Sequence, residues 1–134
     1  MTSCKTLAIS AAFGLLAAGA AAASDWKKVD DPDQLRALYS NKTHHQLSYS
    51  REATKTHYRA DGRALFVQGE RRIPRTWQVK GNDQVCWSDD IQGQFCVHVE
   101  RNKRNPNEIM IQQAGGKFGL VGGMVKIEDG IPSF

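Results

Sequence analysis

The sequence has few cysteines and lacks most of the short motifs that announce a reaction. Among its three cysteines there is no C-x-x-C pair, so a dithiol redox centre has no support. Cys86 and Cys96 stand too far apart for zinc knuckles, which separate their ligands by roughly two to four residues. The four histidines, His44, His45, His57 and His98, form no H-x-H or H-x-x-x-H pair. No serine sits in a G-x-S-x-G elbow. "AGGKFG" has glycines and a lysine without the spacing of a phosphate-binding loop, and reads as a flexible turn. There is no internal repeat and no long linker. The apolar run from Leu7 to Ala23 is mostly Ala and Gly and falls short of the ~20 residues of a membrane span.

That run has another use. "MTSCKTLAISAAFGLLAAGAAAASDW" starts with a single charge, Lys5, and continues uncharged. It ends in small residues, with Ala21 and Ala23 at A-x-A spacing. This is the layout of a secretory signal over residues 1–23. Cleavage after Ala23 removes Cys4 and leaves residues 24–134 as a single β-barrel-like domain, large enough for one modest core. The expected location is periplasmic or secreted. In an oxidising compartment the surviving even pair, Cys86 and Cys96, normally joins.

The whole chain carries a formal charge of +4, and one of those charges leaves with Lys5. The rest are dispersed, except in "ERRIPR" (Glu70 to Arg75) and "ERNKRNPNE" (Glu100 to Glu108). Both read as turns with solvated charge. Nucleic acid is therefore not an expected partner, and weak attraction to anionic surfaces stays open.

One helix is well signalled. "DDPDQLRALYSN" offers Asp31 or Asp30 as N-cap and Pro32 at the first helical position. Leu35, Leu38 and Tyr39 form one apolar face, and Asn41 is a plausible stop. So short a helix needs a surface to lie on. The remainder reads as β: alternating runs near 43–50, 53–59, 63–69, 76–80, 84–89, 94–101, 108–113 and 118–127, separated by turn residues. The expected fold class is mainly β. It is an antiparallel meander forming a small lipocalin-like barrel or half-barrel, with one short N-terminal helix after the signal peptide.

Register sharpens this. If Cys86 faces Cys96 across a hairpin, Val85 faces Val97 and Trp87 faces Phe95. Folding the previous hairpin around "GND" sets Val79 opposite Val85 and Trp77 opposite Trp87. One face then collects Trp77, Val79, Val85, Trp87, Phe95 and Val97, and the cysteines lie on the other. The bridge reads as a structural staple worth ~2–3 kcal/mol by loop-closure arguments.

"HYRADGRA" (His57 to Ala64), "TWQVKGNDQVCW" (Thr76 to Trp87), Cys96 and the closing "VKIEDGIP" (Val125 to Pro132) follow one another in order. This resembles a family of small exported bacterial proteins of uncharacterised function with a lipocalin-like β fold and a Y-x-x-D-G, W, C-W, C pattern. Arg75 stands where that pattern has glycine. The resemblance implies a fold and a compartment but no catalytic residue.

Site candidates remain. Tyr58, Asp61 and Gly62 read first as a hairpin turn. Asp89 and Asp90 sit in a hairpin tip, where acids chiefly keep a loop soluble. Trp77, Trp87, Phe95, Phe66 and Tyr58 are the candidate ligand-binding set, lining a barrel interior that is either a filled core or a small pocket. His45, His57 and His98 are the candidate metal ligands. His44 and His45 point to opposite faces, so only one of them can join His57.

The expected function is a small exported, periplasmic binding or accessory protein without catalysis, not an enzyme, with no cofactor. It would take a small apolar or envelope ligand. The alternative is a protein–protein interaction module such as a periplasmic enzyme inhibitor, working through loop tips such as Asp89 to Gly93. A metal- or haem-binding protein is third.

Overall fold

The computed structural model describes residues 25–48, 50–114 and 122–134. The expected signal segment and most of the "AGGKFG" turn lie outside the described residues. In chain order the elements are β1 (Trp26–Lys28), α1 (Pro32–Tyr39), β2 (Lys42–Leu47), β3 (Ala53–Tyr58), β4 (Arg63–Gln68), β5 (Arg71–Lys80), β6 (Gln84–Asp89), β7 (Gly93–Asn102), β8 (Glu108–Gln113) and β9 (Gly122–Asp129). Strands β2 to β9 run as an antiparallel meander, and β9 closes back on β2 through Lys42↔Asp129 to His45↔Lys126. The result is a closed eight-stranded barrel. Closure gives every barrel strand two neighbours and removes the open sheet edge that invites aggregation.

The register inferred from the cysteines is the one observed. Cys86 pairs with Cys96, Val85 with Val97 and Trp87 with Phe95. In the preceding hairpin Trp77 pairs with Trp87 and Val79 with Val85. The disulfide joins Cys86 and Cys96 across directly opposed positions, with their Cα atoms 4.0 Å apart.

The expected helix forms. Asp31 caps it, accepting from the backbone N–H of Asp33 at 2.8 Å and of Gln34 at 3.2 Å. Pro32 occupies its first turn, and Leu35, Leu38 and Tyr39 are buried. The helix closes one end of the barrel. Tyr39 packs there against Tyr58 with ring centroids 4.8 Å apart, and against Trp77 at 5.7 Å. Below this plug the interior is apolar, with Val85, Val97, Val99, Ile109 and Val125 almost or wholly inaccessible. Each such side chain contributes about 1.5–3 kcal/mol on burial.

Three features depart from the sequence reading. β5 starts at Arg71, so "ERRIPR" is largely strand and not turn. Pro74 is tolerated because β6 pairs with β5 only from Thr76 onward, leaving that part of β5 with a single neighbour, β4. β1 was not expected. It has three residues and no alternating pattern, and it extends the β6 edge of β7 by backbone pairing, with Lys28 also paired to Asp83. The Asp89 side chain is not a solvated tip: it is 0% exposed.

No helix among the described residues is long and apolar enough to cross a membrane.

Candidate functional site

Alternation along the strands sorts the candidates onto two surfaces. Tyr58, Phe66, Trp77, Trp87 and Phe95 all project into the barrel, as their pairings require. Tyr58, Trp77 and Trp87 are buried, while Phe66 and Phe95 are half-buried. Trp77 has its indole N–H donated to the Arg59 carbonyl at 2.7 Å. Its backbone N–H is donated to the Gly62 carbonyl at 2.8 Å, so the Asp61–Gly62 turn is clipped to β5. Gly62 has φ +92°, a left-handed value that its turn requires. Trp87 meets Phe95 edge-on at 5.1 Å. Tyr58, Phe66 and Trp87 border a cavity of about 40 Å³. The aromatic set is therefore nearly all core.

Toward the end away from α1 the interior turns polar. Arg75 donates from Nε to Asp89 Oδ2 at 2.8 Å. Its guanidinium also lies over the Phe66 ring, 4.3 Å from the centroid. Asp89 Oδ1 accepts from the backbone N–H groups of Ile91 at 2.8 Å and Gln92 at 2.6 Å. Burial pushes the Asp89 carboxyl up, but the Gln92 and Ile91 amides and Arg75 outweigh it and hold the group below its ordinary range. Sequence reasoning missed this pair, although the register that set Trp77 opposite Trp87, carried two residues further, sets Arg75 opposite Asp89.

His44 also faces inward. Leu38 offers only a carbonyl, so His44 Nε2 carries the proton and donates it, at 2.8 Å. Burial lowers the imidazole pKa to about 4, leaving it neutral near pH 7.

A wide depression among the described residues lies outside the barrel wall. A groove of about 1000 Å³ runs over β2, β3 and β4 and under the segment 130–133. Val67 is centred between two cations, since it pairs with Lys55 on one side and Arg72 on the other. In the next row Leu65 pairs with His57 and Pro74. Leu65 and Val67 form an apolar floor, with Ile131 and Pro132 opposite. Lys55 and Arg72 form no ion pair among the described residues.

The His57 tautomer is fixed by its neighbour. Thr43 spends its one hydroxyl proton on the Gly130 carbonyl at 2.8 Å. His57 Nδ1, 2.8 Å from the same hydroxyl oxygen, must therefore be the donor, leaving a lone pair on Nε2. Burial lowers the His57 pKa, as do Lys55, His45 and Arg72 in turn, while Glu128 opposes them. Lys55 and Arg72 line this part of the groove beside His57, together with the acidic Glu128 and Asp129.

The three metal candidates are not gathered. His45 and His57 share the outer face, but His45 Nε2 is engaged by Glu128 Oε2 at 2.6 Å. His98 is on β7, separated from β2 by β8 and β9, with Nδ1 donating to the Asp83 carbonyl at 3.2 Å. Among the described residues no three His, Cys, Asp or Glu side chains are grouped to hold a metal ion.

Comparison of the chain with family models, with curated proteins and with solved structures finds no match.

Proposed function

We propose that this protein is a small, non-catalytic binding module, exported to the periplasm or beyond, that takes an envelope-type amphiphile in its outer groove. The ligand chemistry is an anionic head on an apolar chain. The observation that carries the reading is the row Lys55, Val67, Arg72. Two cations that form no ion pair among the described residues flank an apolar position on a wall of the barrel, and the floor continues through Leu65 to Ile131 and Pro132; the carboxylates that line the same groove, Glu128 and Asp129, are engaged by His45 and Lys42. A phosphate or carboxylate head fits between the cations, and the chain lies along the half-buried Ile131 and the exposed Pro132, over Leu65 and Val67, which are already buried. The groove is at the upper end of the size range of small-molecule sites. By contrast, the interior space of about 40 Å³ is far too small for an apolar ligand of that kind. The signal-like leader, the Cys86–Cys96 bridge and the resemblance to small exported bacterial proteins support the compartment.

Calorimetric titration with dodecyl phosphate and with dodecanol tests this reading. Saturable one-to-one binding of the phosphate below its micelle concentration is expected, weakened about tenfold or more in Lys55→Gln/Arg72→Gln, with little binding of the alcohol. Equal binding by wild type and the double variant would remove the groove from consideration.

A further inference from the structure

The barrel interior holds a cavity on the other side of the wall from the outer groove, with Thr54 in the lining of both. Trp87 borders the cavity, and the residue is 6% exposed. Unlike Trp77, its Nε1–H is buried with no hydrogen-bond partner. A buried N–H left unpaired costs about 1–3 kcal/mol, so an unfilled cavity is an unfavourable surrounding for this indole. His44 lines the same space. With its Nε2 proton held by Leu38, its Nδ1 is an acceptor. The Thr54 and Thr56 side chains add to the wall, and Thr54 has given its own hydroxyl proton to the Gln46 carbonyl at 3.0 Å. The wall thus offers one fully buried donor without a partner, the Trp87 indole N–H, and acceptors at His44 Nδ1 and the Thr54 hydroxyl oxygen, beside the hydroxyls of Tyr39 and Tyr58. No net charge faces the space, because Arg75 is already matched by Asp89.

The volume of about 40 Å³ corresponds to a few water molecules, at roughly 10–15 Å³ of such space for each. A molecule of three or four heavy atoms fills it as well. From the orphan indole N–H, the acceptors of His44 and Thr54 on the same wall and the cavity size, we infer that the barrel interior binds a small neutral solute of the amide type. Its carbonyl oxygen would accept from Trp87 Nε1–H, and its N–H groups would donate to the His44 ring and the threonine hydroxyls. Water shares part of this chemistry, and the test separates the two.

The test follows the indole N–H resonances of the ¹⁵N-labelled protein during titration with formamide and acetamide. Trp77, already bonded to Arg59, is the internal reference. The expected result is a saturable shift of the Trp87 resonance with Trp77 unmoved, and loss of that response in His44→Phe, which fills the space. Should His44→Phe not fold, Trp87→Phe is examined by saturation transfer from the protein to formamide, and loss of the transfer seen with wild type is expected. A linear shift shared by all the indoles, or a Trp87 resonance that responds to neither amide and exchanges magnetisation with water alone, overturns the inference: the cavity then holds only water.

Discussion

Arg75 and Asp89 face each other across β5 and β6 inside the barrel, 2.8 Å from Nε to Oδ2, with the carboxylate wholly buried and the guanidinium nearly so. Removing one partner strands the other charge in a poorly solvated place, which typically costs about 3–5 kcal/mol, whereas replacing both by apolar groups is often neutral. Arg75→Ala should lose about 3 kcal/mol in urea unfolding. Arg75→Met/Asp89→Leu should lose much less, since the Ile91 and Gln92 amides sit at a tip that water reaches. A single variant as stable as wild type would mean that the pair is not held as described.

The same pair shows where reading the sequence stops. Trp77, Val79, Val85, Trp87, Phe95 and Val97 were legible because apolar alternation and the two cysteines converge on one register. Asp31, Pro32 and the Leu35–Leu38–Tyr39 face were legible because caps and apolar spacing are local. Arg75 was not, because an inward-facing charge contradicts the alternation rule, and only its partner fourteen positions on makes it tolerable. The outer groove was hidden for a different reason. Lys55 and Arg72 lie on different strands, and they become neighbours of Val67 only once the barrel fixes their rows.

His44 ties α1 to the barrel and sets an acid limit on stability. Its folded pKa of about 4 lies below the ordinary 6.5, so the unfolded chain takes up the proton first. Its contribution is complete above about pH 6.5 and is lost as pH falls toward 4, amounting to about 3 kcal/mol. The lowered pKa of His57 acts in the same direction. Chemical denaturation across pH 7 to 4 should show this decline, and His44→Gln should flatten it by about one proton. An unchanged slope in the variant would contradict a buried neutral imidazole.

The Cys86–Cys96 bridge joins neighbouring strands and closes a short loop. Cys86→Ala/Cys96→Ala, or reduction of the wild-type protein, should therefore cost only ~2–3 kcal/mol. The barrel should persist, with the far-ultraviolet spectrum of the oxidised protein. Complete unfolding on reduction at room temperature would assign the bridge a larger role than a staple.

Gly62 adopts a left-handed φ, and a Cβ there would come 3.4 Å from the Trp77 carbonyl oxygen. Gly62→Ala should cost about 1 kcal/mol or more. Thermal unfolding is the check, and a midpoint equal to wild type would show that the turn relaxes freely.

The most direct test of the binding account is where a ligand lands. Amide shifts of the ¹⁵N-labelled protein, followed during titration with dodecyl phosphate, should move on β3 and β4 around Lys55, Leu65 and Val67, and at residues 130–132. The β6–β7 tip from Asp89 to Gly93 should stay still. Shifts concentrated at that tip, or none that saturate, would contradict a groove-binding protein.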